Sequence, residues 1–250
     1  MAPVKVFGPA MSAHVARILV CLEEVGAEYE VVNIDMQAME HKSPKHLARN
    51  DPAWILELEL SQTEPTPRRQ LTWCLLISPL QPFGLIPAFQ DGDTVLFESR
   101  AIAKYVLRKY SKSAGVDLLR EGDLKEAAMV DVWTEVEAHT YNPALSPVVY
   151  ECLVFPAMRG VPTNQKVVDE SLEKLKKVLD VYEARLSKHD YLAGDFLSFA
   201  DLNHFPYTHY FMGTPHASLF DAYPHVKAWW ERLAARPSVK KLSAGMPLKF

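Results

Sequence analysis

The chain has 250 residues, enough for one large domain or two modest ones, and its 48% apolar and 23% charged residues are ordinary for a globular protein. A net charge of −4 without any basic block or stripe argues against a nucleic-acid partner. No apolar run reaches the length that spans a bilayer, and Met1-Ala2-Pro3-Val4-Lys5 has neither the apolar run nor the cleavage site of a signal peptide, so a cytoplasmic protein without a membrane partner is expected.

In chain order, Val4–Phe7 predicts a short strand. A helix over 12–25 follows, with Val15, Ile18, Leu19 and Leu22 on one face and Gly26 as its stop. A strand over 29–34 completes a β-α-β unit. A short helix over 43–49 comes next, then strands over 86–90 and 94–97 joined by an Asp91-Gly92-Asp93 hairpin tip. A helix over 99–110 carries Ile102, Tyr105 and Val106 at helical spacing, with Ser99 as its N-cap. This order is that of a thioredoxin-like α/β domain, residues 1–110, with helices covering a small mixed sheet.

Ser111-Lys112-Ser113-Ala114-Gly115 is polar and predicts a flexible joint, the start of a linker over 111–120. Beyond it strand signals vanish, which predicts an all-helical domain over 121–250. Helical periodicity runs through Val130, Trp133 and Val136-Glu137, with a kink expected near Pro143 and Pro147. Residues 164–187 place Val168, Leu172, Leu175, Leu179, Tyr182 and Leu186 on one face. Ser198 and Asp201 form a capping box, with Leu197 and Leu202 as its hydrophobic staple, a structural feature rather than a catalytic one. A last helix over 224–235 carries Trp229 and Trp230 as core residues.

The three cysteines, Cys21, Cys74 and Cys152, are far apart and form no Cys-x-x-Cys, so neither a zinc site nor a dithiol centre is expected. Chemistry is suggested instead by two helix starts. Ser12 precedes the first helix, where a hydroxyl sits in a partly positive field and equally serves as a plain cap. In the second, a turn at Pro82-Phe83-Gly84 opens into Leu85-Ile86-Pro87-Ala88-Phe89, and Phe97-Glu98-Ser99-Arg100 closes a strand onto a helix. Proline inside a strand cannot donate to the ladder, so an edge position or a cis bond is expected at Pro87. Amides at the Ser99 helix start suit a carboxylate ligand.

These motifs, with Met11-Ser12, His41-Lys42-Ser43-Pro44, Glu121-Gly122, Ala127–Trp133, Tyr191–Asp195 and Tyr223–Val226, resemble those of the plant phi-class glutathione transferases over nearly the whole chain. The resemblance implies the cytosolic glutathione transferase fold, glutathione as co-substrate with no metal, and a homodimer. It implies that Ser12 donates a hydrogen bond to the glutathione sulfur, which favours the thiolate. His41 and Lys42 would reach the glycyl carboxylate. Ile86, presented by a cis bond to Pro87, would clamp the cysteinyl group through its backbone. Glu98 would take the γ-glutamyl ammonium and Ser99 its carboxylate. An electrophile pocket would be lined by Met11, Ala13, Met36, Tyr150 and Val154. Taken without the resemblance, His41-Lys42 is equally a solvated polar pair, and a Ser-His-Asp hydrolase is disfavoured because no Gly-x-Ser-x-Gly elbow surrounds Ser12.

Two departures stand out. Leu85 occupies the position where the family usually has Gln, which removes a side-chain bond to glutathione worth about 1–3 kcal/mol. Residues 51–81 interrupt the pattern, because joining Asn50 to Pro82 restores it. The segment carries two apolar clusters, Trp54-Ile55-Leu56-Leu58-Leu60 and Leu71-Trp73-Leu75-Leu76-Ile77. Lengthening the loop costs only about 2 kcal/mol, so the composition is the larger problem. A translated retained intron or a gene-model error is the expected origin, and a genuine binding insertion is the alternative. The expected activity is conjugation of glutathione to small apolar electrophiles, with possible hydroperoxide reduction. Alternatives are a non-catalytic carrier of apolar metabolites, a product impaired by residues 51–81, and a scaffold module.

Overall fold

A computed structural model describes residues 3–34 and 85–248. Strands β1 (Val4–Phe7), β2 (Tyr29–Val32), β3 (Ala88–Asp91) and β4 (Thr94–Phe97) form one sheet in the order β2-β1-β3-β4. β1 runs parallel to β2, with Val6 opposite Val31. It runs antiparallel to β3, with Phe7 opposite Ala88. The β3–β4 hairpin closes through Gly92 and Asp93, and Gly92 has φ +59°, the left-handed geometry that a two-residue turn requires. This is the thioredoxin-like arrangement expected. The strand expected over 86–90 begins two residues later, at Ala88, so Pro87, joined to Ile86 by a cis bond, stands outside the ladder and no strand hydrogen bond is lost.

Period-two alternation gives the sheet two apolar faces. Val4, Val6 and Phe89 pack into the main core, and Phe7, Ala88 and Ile34 form a second cluster on the opposite side. Helix α1 (Ala13–Glu24) is buried all round from Val15 to Leu22. It packs against both α2 (Ser99–Ala114) and the helix Phe199–Met212 of the second domain, and so joins the two. α2 continues past the expected end at 110. The polar stretch over 111–115 supplies its last turn, and Gly115 at φ +66° stops it. Glu98, not Ser99, is the N-cap residue, and Ser99 is the first helical residue.

The second domain is helical throughout. α3 (Leu124–Val136), a π-helical segment Glu137–Tyr141, α4 (Asn142–Val149), a second π-helical segment Tyr150–Val154 and α5 (Phe155–Arg159) follow without a break. The prolines therefore do not interrupt this stretch. Pro143 and Pro156 each stand two residues after a π-helical segment, and the widened turn absorbs the missing N–H and the ring. α6 (Gln165–Leu186) buries Val168, Leu175, Leu179, Tyr182 and Leu186, the face its periodicity predicts, and the Asn164 side chain caps its start.

α7 (Phe199–Met212) is buried almost along its whole length. Asp201 secures its start, accepting from the Ser198 N–H at 2.9 Å and the Ser198 hydroxyl at 2.9 Å, and also from the Leu192 N–H at 2.9 Å and the Trp229 indole at 3.0 Å. The capping box thus holds two further segments, the 192 loop and α8 (Pro224–Ala234). Trp229 is fully buried and Trp230 is half-buried beside it. α9 (Pro237–Ser243) returns to α1, where Arg236 grips Glu24 with two hydrogen bonds at 2.8 and 2.5 Å. Among the described residues no helix is long and apolar enough to cross a membrane.

Candidate active site

The site is built around the first turn of α1. Ser12 stands at its N-cap position, but its hydroxyl makes no bond to the helix amides, so the plain-cap reading fails on geometry. The backbone turn is held instead by the Ser12 N–H on Pro9 C=O at 2.9 Å. Gly8 sits beneath it with φ +142°, where a Cβ would lie 2.7 Å from Val15 and 3.4 Å from Ile86. Only glycine lets the end of β1, the first turn of α1 and the Ile86-Pro87 step approach this closely. The half-buried Ile86 therefore lies beside the Ser12 turn, with Pro87 buried behind it.

The second helix start is tied to the first by a residue that the sequence pattern did not single out. Arg17 on α1 is fully buried. Its Nη1 donates to Ser99 Oγ at 2.8 Å and to His14 Nδ1 at 3.2 Å, and its Nη2 donates to Glu137 Oε1 at 3.2 Å. Glu137, also buried, is shared: Arg100 Nε donates to Oε2 at 2.7 Å and Asn203 Nδ2 to the same oxygen at 2.6 Å. Two guanidiniums face one carboxylate, which leaves a net positive charge beneath the Ser99 helix start. Ser99 is 5% exposed, and its oxygen already accepts from Arg17, so its own proton points elsewhere. Glu98, exposed beside it, has φ +70°, a backbone conformation rare for a residue with a Cβ and concentrated at functional positions.

A second branch runs from His14 toward the helical domain. Tyr207 Oη lies 3.2 Å from His14 Nε2, and Tyr150 Oη lies 3.5 Å from Tyr207 Oη. Tyr210, one helical turn on from Tyr207, donates to the Met11 C=O. Burial first, and then the positive charges of Arg17 and Arg100, push the His14 pKa down to about 3, so the ring is neutral. Burial pushes Tyr207 far above the usual phenol range and Tyr210 up to about 12.

Of the residues expected at the site, Ser12 and Ala13 open α1, Ser99 is bonded to Arg17, Met11 is bonded to Tyr210, and Tyr150 meets Tyr207, while Ile86 lies beside Gly8; Pro87 and Glu98 adjoin Ile86 and Ser99 in the chain. Val154 is half-buried against the core. Met36, His41, Lys42 and residues 51–81 lie outside the described residues. The residues that periodicity missed are Arg17, Glu137, Asn203, His14 and Tyr207. Arg17 carried a signal, as a lone charge amid the buried run Val15–Leu22. Glu137 carried one too, because it shares the periodic face of Val130 and Trp133. Among the described residues no group of three or more His, Cys, Asp or Glu could hold a metal.

A thioredoxin-like sheet domain docked on a helical bundle, with a hydroxyl at one helix start and a cationic cluster under another, defines the cytosolic glutathione transferase fold. The family models agree: residues 11–109 match the glutathione S-transferase N-terminal domain and 141–237 the C-terminal domain. A probable glutathione S-transferase, GSTF1, of Oryza sativa subsp. japonica is 69% identical over 246 residues, covering 98% of each chain. The structure of glutathione S-transferase-I bound with lactoylglutathione superposes with a TM-score of 0.81 at 52% identity, covering 98% of this chain and 100% of that one. Glutathione S-transferase I from maize in complex with an atrazine glutathione conjugate gives a TM-score of 0.80 at 51% identity, covering 98% of each. The chain belongs to the glutathione S-transferase family, in its plant phi class. It is an enzyme.

Proposed function

We propose that this protein binds glutathione across the two helix starts and transfers its thiolate to small apolar electrophiles. The observation that carries this reading is the Arg17–Ser99 bond. The bond occupies the acceptor side of the Ser99 hydroxyl and leaves its proton for an anion, above a buried cluster of net positive charge. A γ-glutamyl carboxylate fits that position, and Glu98, exposed one residue earlier, suits the neighbouring ammonium. The Ser12 hydroxyl, not spent on capping, is available to the sulfur, where a donated hydrogen bond favours the thiolate.

Ile86 would clamp the cysteinyl group with its backbone, and His41 and Lys42 would hold the glycyl carboxylate. Met11, Ala13, Met36, Tyr150 and Val154 would line the electrophile pocket between residues 1–110 and 121–250. Met11 and Met36 make such a pocket adaptable. The atrazine conjugate held by the maize relative supports herbicide-like electrophiles for this chain as well. The working form in this reading is a cytoplasmic homodimer that uses glutathione as its co-substrate and no metal.

The test is retention on a glutathione matrix followed by a conjugation assay. Retention with turnover supports the transferase. Retention of apolar dyes without turnover supports the carrier alternative, and neither binding nor turnover points to a product impaired by residues 51–81.

A further inference from the structure

The backbone around Ser12 is pinned at three points. Its N–H donates to the Pro9 C=O at 2.9 Å, and its C=O accepts from the Ala16 N–H at 2.8 Å. Both bonds are local, and they form wherever the turn and α1 form. The third comes from the helical domain. The Tyr210 hydroxyl on α7 donates to the Met11 C=O, 199 residues away in the chain. A carbonyl only accepts, so the direction of this bond is fixed. Tyr210 is buried, and burial pushes its phenol up to about 12, so it stays a donor throughout the neutral range. One turn earlier on α7, Tyr207 Oη meets His14 Nε2 at 3.2 Å, with the two rings edge to face at 5.6 Å between centroids. α7 therefore grips the chain on both sides of Ser12. Only Tyr210 acts on the peptide bonded to Ser12 itself.

We propose that Tyr210 is a positioning residue for conjugation: by holding the Met11 C=O it fixes the direction from which the Ser12 hydroxyl meets the glutathione sulfur. The proposal rests on the transferase reading above. The Met11–Ser12 peptide is one rigid plane, with its C=O and N–H on opposite edges. Tyr210 holds one edge and Pro9 the other, so the plane cannot rock about the chain axis. The plane sets the Ser12 φ of −66°, and with it the direction of the Cα–Cβ bond that carries the hydroxyl. That hydroxyl makes no bond to the helix amides, so no cap holds it in place. A donor that must reach one sulfur tolerates little error in its aim, and a backbone fixed from a second domain supplies that precision. Without the Tyr210 bond the peptide keeps only its Pro9 edge. The hydroxyl then samples directions away from the sulfur, and the thiolate is favoured less.

The experiment titrates the ultraviolet thiolate absorbance of glutathione bound to the full chain, and measures kcat with 1-chloro-2,4-dinitrobenzene. The proteins compared are the wild type, Tyr210→Phe, Ser12→Ala and the double variant. Tyr210→Phe keeps the ring and removes only the donor. It is expected to raise the bound thiol pKa by about half a unit, which leaves about threefold less thiolate below that pKa and lowers kcat to match, while KM for glutathione stays within about twofold. In the Ser12→Ala background the same change is expected to move the thiol pKa no further, because Tyr210 acts through Ser12. Tyr210→4-aminophenylalanine restores a donor at the same position and is expected to bring the thiol pKa back toward the wild-type value. An unchanged thiol pKa in Tyr210→Phe, an equal rise in both backgrounds, or no recovery with the restored donor overturns the proposal alone. A wild-type protein that binds no glutathione overturns the transferase reading and the proposal with it.

Discussion

Arg17 and Ser99 stand 82 residues apart in the chain and are joined by a buried hydrogen bond of 2.8 Å. The same guanidinium reaches Glu137 of the helical domain at 3.2 Å. One side chain therefore links the first helix, the helix start that would hold the γ-glutamyl carboxylate, and the second domain. Among the described residues its Nε has no hydrogen-bond partner.

Arg17→Lys should raise the KM for glutathione about tenfold and lower the melting temperature. A single ammonium cannot span Ser99, His14 and Glu137 in the planar fork that Arg17 uses. Glu137 keeps Arg100 and Asn203, so the loss of stability should fall short of the roughly 3–5 kcal/mol of a fully broken buried pair. Steady-state kinetics with glutathione varied, beside a thermal melt, check both. An unchanged KM would remove Arg17 from the site.

Ser12→Ala should lower conjugation about a hundredfold while glutathione binding stays largely intact. The hydroxyl acts on the charge state of the sulfur, whereas the carboxylate contacts carry most of the affinity. A titration of thiolate ultraviolet absorbance in the complex should show the thiol pKa rising in the variant. The same thiol pKa in both proteins would show that Ser12 does not touch the sulfur.

Leu85→Gln should tighten glutathione binding by up to about tenfold. Leu85 is 55% exposed and immediately precedes Ile86, so an amide there faces solvent or ligand without disturbing the core. Isothermal titration of the two proteins decides the matter. Equal affinities would mean that the position does not face the tripeptide.

Stability should fall as the pH drops from about 7 to 4. Burial is the largest cause holding His14 near pKa 3 and His204 near 4 in the folded protein, against 6.5 when unfolded. Between those values the unfolded chain binds more protons than the folded one, so each residue contributes a slope of up to about 1.4 kcal/mol per pH unit, toward lower stability in acid. The Glu137 charge opposes the shift at His204, and those of Arg17 and Arg100 reinforce it at both. Urea midpoints at pH 7.5 and pH 5 measure the loss, and His204→Gln should flatten it. A midpoint that rises in acid would contradict this account.

Deleting residues 51–81 should raise soluble yield and conjugation rate. The segment separates Lys42 from Ile86, two groups that must be held within about half an ångström of their productive positions. Its two apolar clusters also favour aggregation during folding. Melting temperature, glutathione affinity and conjugation rate are compared for the two proteins. A deleted form that is less stable and less active would make the segment an integral part of the fold.

Local patterns along the chain were enough to specify most of the elements. Val4–Phe7, Thr94–Phe97 and the Gly92 turn follow from alternation and from glycine's tolerance of positive φ. The buried face of α6 follows from 3.6-residue periodicity. The Ser198–Asp201 box and the Ser12 and Ser99 helix starts are short-range features, and short-range sterics and hydrogen bonding act within a few residues. The two π-helical segments were not legible in this way, because a kink and a widened turn answer the same proline problem and only packing chooses between them. The site's charge was legible only as lone charges on apolar faces, not as a cluster. Arg17, Glu137 and Asn203 are polar residues on faces that periodicity assigns to the core, and a buried charge is tolerable only beside partners brought in from distant segments. The contacts from Arg17 to His14 and from His14 to Tyr207 likewise exist only once α1 and α7 are packed together.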